Sequence, residues 1–317
     1  MEISQEVIDW TIQQKEMLNL EVIYYQGLKK YFPTIHDIEV TIKLKDQKFK
    51  GRGTSLDEEE AYLKAFSESI ERAATEHYKL STTNGLAAHS IIEKAKNNAM
   101  RELIERDAFM CHHLLSSRLK LLSSDKVSSN SLAEYKLEIK ELCRTHLGVG
   151  IFVSLTGLEH SPAFGLISGS SFHSDEKIAT SSALIEMLRE FDYINETKNY
   201  SNISIDDFMK ISNFTFVNHG QLSKNTSYTI ANLQRIEKTN LSLNFCYEKE
   251  DFNYIELNLD FISNKIPIKL VQAQNPKLQP LFLGPTTLDK INFNRLSEIS
   301  KKSVHFEDLN HFPHPFN

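Results

Sequence analysis

Two segments of the chain repeat one pattern, and that pattern dictates helices. Ser67-Glu68-Ser69-Ile70-Glu71-Arg72 and Arg101-Glu102-Leu103-Ile104-Glu105-Arg106 each place two glutamates and an arginine at i, i+3 and i+4. An α-helix brings that spacing onto one face, whereas a strand splits it between two. The residues around both motifs are apolar or small, so each helix has a core side and a charged side.

The rest of the chain is read around these two helices. Residues 3–18 have helical periodicity, with Ile3, Val7, Trp10 and Met17 near one face. Residues 36–49 alternate as a strand, and Gly51-Arg52-Gly53 reads as a turn. Ser55, with Glu58 three residues on, reads as the cap of a helix running to about Lys79. Ser90 with Glu93 repeats that logic after an Asn84-to-Ala88 turn, and opens a helix through residue 115. A polar stretch at 123–136 leads into a further helix ending near Leu147. The period then changes to two. Residues 148–158 and 162–172 read as paired strands, 173–194 as a third acidic helix, and 265–274 as a buried strand. Residues 198–255 are rich in Asn, Ser and Thr and give no pattern. The expected class is α/β, of the α+β kind: mixed sheets flanked by acidic helices in a single domain over 1–317. The motif recurs once, among strands, which argues against a helical solenoid.

Composition narrows the function. A net charge of −6 argues against a nucleic-acid partner held by bulk electrostatics. No apolar run reaches membrane-spanning length, so no membrane role is expected. The N-terminus lacks the basic and apolar regions of a signal peptide. Three scattered cysteines make no disulfide framework. A cytoplasmic protein is the expectation.

Brought together, the two motifs set four carboxylates beside two guanidinium groups. Crowded carboxylates repel unless cations share the space. Mg²⁺ takes hard oxygen ligands together with substrate phosphates, and arginine suits phosphate oxygens. The pattern therefore reads as a metal–nucleotide site, against the plainer reading of two solvated helix faces. Cys111-His112-His113 and Cys143-x-x-His146 match no strong zinc spacing and read as core cysteines with surface histidines. Asp107 reads as a local capping or pairing residue. Pro313 and Pro315 stiffen the tail, residues 311–317, in which His311 and His314 are candidate substrate contacts.

With these residues in view the sequence resembles the YcaO family. The resemblance is carried by Gly51-Arg52-Gly53, Glu68 to Arg72, Asn84 to Ala88, and Glu102 to Phe109. It continues in the helix bearing Glu186, in the run Val271 to Gly284, and in the proline-containing end. It implies a cyclodehydratase that binds ATP and Mg²⁺ and activates backbone amides of a ribosomally made precursor peptide, forming azolines at Cys, Ser or Thr. Thioamide or amidine formation, or a scaffold subunit without turnover, are the alternatives. The resemblance assigns nucleotide binding to Glu68, Glu71, Arg72, Glu102, Glu105, Arg106 and Glu186, and metal ligation to Glu71, Glu102 and Glu105. It gives His314 and the terminal Asn317 catalytic parts. It also implies a separate leader-peptide-recognition protein and a homodimer. The chain departs from the family at Lys94, where an acidic residue is usual, and at Ser182, where a basic one is usual. It departs also at Asn317, where a terminal proline is common. The first two substitutions favour weaker ATP contact.

Overall fold

A computed structural model describes residues 2–30, 32–127, 135–157, 166–196, 203–223, 225, 241–263 and 265–314. In chain order the elements are α1 (Glu2–Gln13), β1 (Glu21–Tyr25), β2 (His36–Leu44), β3 (Gln47–Ser55), α2 (Glu58–Tyr78), β4 (Leu86–His89) and α3 (Ile92–Leu114). Then come β5 (Lys120–Val127), β6 (Tyr135–Thr145), β7 (Gly148–Gly157), β8 (Leu166–His173) and α4 (Glu176–Glu196). Among the described residues there follow short helices α5 (Ile205–Phe208) and α6 (Phe216–Ser223), strands β9 (Asn253–Leu257) and β10 (Lys269–Gln274), and α7 (Phe293–Ser300). The chain divides into two compact units, residues 1–103 with 250–275 and residues 104–249 with 276–317. The mixed α/β class read from the sequence is the class observed.

The first unit holds two three-stranded antiparallel sheets, ordered β1-β2-β3 and β4-β10-β9. The single strand expected over 36–49 is a hairpin. β2 and β3 turn at Lys45-Asp46, with Lys45 at φ 56°, the left-handed geometry that tight hairpins need. Gly51-Arg52-Gly53 is not a turn but the middle of β3. A Cβ on Gly51 would stand 2.0 Å from the Ala65 carbonyl, and one on Gly53 2.0 Å from that of Ala61. The glycines therefore let the backbone of α2 lie directly on the strand. The buried core joins Val7 and Trp10 of α1, Ile38, Val40 and Ile42 of β2, and Phe66 and Ile70 of α2.

Helix boundaries correct the sequence reading in detail. α1 stops at Gln13, so Met17 is exposed and Leu18 takes the buried place. α2 is capped by Asp57, whose side chain accepts the Glu60 amide at 2.8 Å. Ser55 instead donates its hydroxyl to Glu60 Oε2 at 2.6 Å. Residues 84–88 turn only at Asn84-Gly85, with Gly85 at φ 73°, before β4 begins. α3 starts at Ile92, beyond Ser90.

The second unit holds the antiparallel meander β5-β6-β7-β8, with α4 packed on β7 and β8. Here the helix expected to end near Leu147 is a strand, β6. Its Lys and Glu content reads as helical by propensity. Yet Tyr135, Leu137 and Ile139 alternate with polar residues, and pairing on both edges selects the extended form. Cross-strand and same-strand ion pairs, Lys120–Glu141 at 3.8 Å and Lys140–Glu138 at 2.8 Å, hold its charges.

Candidate functional site

β3, β4 and β8 are edge strands of their sheets. An edge leaves backbone amides with no strand partner. In this protein, helix glutamates take amides at or beside each of the three edges.

In the first unit, the Arg52 amide of β3 donates to Glu68 Oε2 at 2.7 Å. The Ala88 amide of β4 donates to Glu71 Oε1 at 2.7 Å, and the Gly85 amide just before β4 donates to Glu102 Oε2 at 3.0 Å. Arg72 reaches back to Glu68 Oε1 at 2.6 Å. Burial pushes the Glu71 carboxyl well above the usual carboxylate range. Glu102 and Glu68 push it the same way, against the Ala88 amide and Arg72. The structure thus brings Glu68, Glu71, Arg72 and Glu102 into one cluster. Below it, Asp37 binds the Arg52 guanidinium at 2.9 Å (Nε) and the Thr54 hydroxyl at 3.0 Å.

In the second unit, Ser170 of β8 donates its amide to Glu186 Oε2 at 2.8 Å and its hydroxyl to Glu105 Oε1 at 2.6 Å. Arg106 lies 3.2 Å from the same Glu105 oxygen. Burial and then Glu105 push the Glu186 carboxyl up to about 7, against Arg106, the Ser170 amide and Arg189. Glu105, Arg106 and Glu186 form the second cluster. The second E-x-x-E-R motif is thus divided, with Glu102 in the first unit and Glu105 in the second.

Both clusters have more carboxylate than cation. Burial first, and then neighbouring carboxylates, raise these pKa values, and a bound cation offsets both effects. Oε2 of Glu71, Oε2 of Glu105 and Oε1 of Glu186 receive no hydrogen bond among the described residues. Among those residues no three His, Cys, Asp or Glu side chains hold an ion by themselves. Such a donor set suits Mg²⁺, which keeps waters and shares its ligands with phosphates.

His314 is fully buried. It donates Nε2–H to the Phe282 carbonyl at 2.6 Å and stacks on His219 at 4.3 Å. Burial, with His219 and His113 beside it, holds its pKa well below the usual histidine value, and Arg106 contributes. The tail is a built element through His314. The Asn310 amide donates to the Leu114 carbonyl at 2.7 Å, and His113 donates to the Phe312 carbonyl at 2.8 Å. Asn317 lies outside the described residues.

The cysteine–histidine segments are committed elsewhere. Cys111 and Cys143 are buried thiols, as read, but the adjacent histidines are not at the surface. His112 donates to the Leu142 carbonyl and accepts from Ser117. His146 is exposed and pairs with Glu248 at 3.4 Å. Asp107 does more than the local pairing read from sequence. It accepts from Arg295 at 2.7 Å, from the Tyr247 hydroxyl at 2.8 Å and from the Gln279 amide at 2.7 Å, all buried. Its partners are 140 to 188 residues away, so no local signal marks them.

The comparisons bear out the class that this fold and these clusters define. The family model described as YcaO cyclodehydratase, ATP- and Mg²⁺-binding, matches residues 73–249, more than half of the chain. The chain belongs to the YcaO family. Among solved structures it is similar to YcaO from Methanopyrus kandleri bound with AMPPCP and Mg²⁺. That likeness has 13% identity and a TM-score of 0.54, over 91% of this chain and 96% of that one. The likeness is one of fold. A heterocyclase in complex with substrate and cofactor matches at 13% identity and a TM-score of 0.49, over 74% of this chain. The chain spans only 33% of that heterocyclase's length. The Escherichia coli microcin synthetase McbBCD complex with pro-MccB17 bound matches at 13% identity and a TM-score of 0.43, over 73% of this chain and 65% of that one. No curated protein sequence matches the chain. No described helix is long and apolar enough to cross a membrane.

Proposed function

We propose that this chain is an ATP- and Mg²⁺-dependent enzyme that activates backbone amides of a peptide, most directly for azoline formation at Cys, Ser or Thr. The observation that carries the reading is the set of five glutamates fixed by edge-strand donors inside a YcaO fold. In the first unit Glu71 and Glu102 would hold Mg²⁺, with Glu68 and Arg72 in nucleotide contact; in the second, Glu105 would hold Mg²⁺, with Arg106 and Glu186 in nucleotide contact. When bound, the nucleotide supplies the phosphoryl group that turns an amide oxygen into a leaving group. The chain's own part is to position and neutralise charge, which is most of what phosphoryl transfer needs. Arg106 and Arg72 are held against Glu105 and Glu68 at 3.2 and 2.6 Å, where each guanidinium is steadied for phosphate oxygens. His314 is a buried, neutral imidazole held on the Phe282 carbonyl, so the part proposed for it is to anchor the tail and not to take a proton from the peptide. We place the protein in the cytoplasm as a homodimer working with a separate leader-recognition partner.

A second reading, a YcaO-fold subunit without turnover, is favoured by Lys94. Burial, and after it the Lys94 ammonium, lowers the pKa of His89 at the end of β4, so a cation stands where the family usually has an acidic residue. The deciding experiment incubates the protein with a candidate precursor peptide, ATP and Mg²⁺ and follows peptide mass and phosphate together. Loss of one water per ring with one phosphate released supports the enzyme. ATP binding with unchanged peptide mass and no phosphate supports the scaffold.

A further inference from the structure

The strand–helix arrangement that holds Glu68 recurs at Glu186, with one difference. In both copies a glycine precedes the donor residue, and donor amide and acceptor carboxylate are 16 residues apart. In both, the glycine removes a clash: a Cβ on Gly51 would stand 2.0 Å from the Ala65 carbonyl, and one on Gly169 2.3 Å from that of Ala183. In β3 the donor is Arg52, whose side chain turns to Asp37. In β8 the donor is Ser170, which uses its amide on α4 and its side chain on α3. Successive strand residues face opposite ways. Gly169 faces α4, so the Ser170 hydroxyl points to the other side, where Glu105 is.

We infer that Ser170 is a positioning residue that fixes Glu105 and Glu186 relative to one another for cation-bound nucleotide. The residue is buried and its backbone is held by pairing with Phe152 of β7. The hydroxyl occupies Oε1 of Glu105 and the amide occupies Oε2 of Glu186, so the opposite oxygen of each carboxylate is the one presented to ligand. Without the hydroxyl, Glu105 keeps on that oxygen, among the described residues, its neighbour Arg106, and it turns more freely about its own torsions. Outer donors of this kind set ligand orientation, and their removal typically weakens metal affinity by roughly ten- to a hundredfold. This inference rests on the reading of Glu105 and Glu186 as Mg²⁺–nucleotide contacts.

The test measures ATP affinity by titration calorimetry, with and without Mg²⁺, for wild type, Ser170→Ala and Ser170→Thr, with the thermal midpoint of each. The expected result is affinity in the presence of Mg²⁺ about tenfold or more weaker in Ser170→Ala, no binding by any of the three proteins without Mg²⁺, and recovery in Ser170→Thr, which restores the hydroxyl. Affinity in Ser170→Ala equal to wild type overturns the positioning role while leaving the functional reading standing. So does equal loss in both variants accompanied by a fall in both midpoints, which marks a packing defect. A wild-type protein that binds no ATP with Mg²⁺ overturns the functional reading, and the positioning role falls with it.

Discussion

The amide of Ala88, on the edge of a three-stranded sheet, donates to the half-buried carboxylate of Glu71 at 2.7 Å. The bond satisfies an edge amide and fixes a carboxylate whose pKa burial has raised. Glu71→Gln keeps an acceptor for that amide and removes the charge. The fold should survive, with a thermal midpoint no lower than wild type, because repulsion with Glu102 and Glu68 is relieved. Mg²⁺ with ATP should raise the midpoint of wild type by several degrees and leave that of Glu71→Gln unmoved. A thermal-shift series reads both.

Gly51 is expected to tolerate no side chain. The added Cβ of Gly51→Ala meets backbone, not a flexible side-chain end, at 2.0 Å from the Ala65 carbonyl. Helix and strand must part, at about 1–3 kcal/mol or more. Urea unfolding should show the lower midpoint, and Gly169→Ala should behave alike.

Asp107 and Arg295 form a buried ion pair with further bonds from Tyr247 and Gln279. Removing one partner strands the other charge, so Arg295→Met should destabilise by about 3–5 kcal/mol. The double variant Asp107→Leu with Arg295→Met should recover part of that loss. Chemical denaturation of the three variants against wild type supplies the comparison.

Acid should loosen the tail. The Gly284 amide donates to His219 Nε2, so that nitrogen carries no proton, and Nδ1–H donates to the His314 carbonyl at 2.9 Å. Burial lowers the His219 pKa to about 4 from an ordinary 6.5, with Lys290 adding to it. The unfolded chain therefore takes a proton near pH 6.5 that the folded chain refuses. The stability due to neutral His219 is present above pH 6.5 and lost as pH falls towards 4, by up to about 1.4 kcal/mol per pH unit. Thermal midpoints between pH 7.5 and 4.5 should fall, and less steeply in His219→Gln.

Much of this was legible in the sequence because it is local. The three acidic helices, the pairing of β7 with β8 and the buried strand β10 all follow from periodicity. The carboxylates of the two E-x-x-E-R motifs are read from the sequence as candidate ligands. Their anchoring at sheet edges is not legible there, since Ala88 and Gly85 reveal nothing by type. Gly51 and Gly53 were read as a turn because glycine is commonest there, whereas here it admits a helix against a strand. β6 was read as helix from its Lys and Glu content, and non-local pairing overrode that preference. Ser170 and Arg295 carry no motif at all, and only the fold brings them to Glu105 and Asp107.

The account stands most directly on whether the fixed carboxylates hold nucleotide through Mg²⁺. Equilibrium dialysis of labelled ATP against wild type and Glu105→Gln, with Mg²⁺ and with chelator, measures that alone and needs no peptide. The account predicts saturable binding by wild type that requires Mg²⁺ and falls by about tenfold or more in Glu105→Gln. Binding that ignores both the metal and the substitution, or no binding to wild type at all, would contradict it.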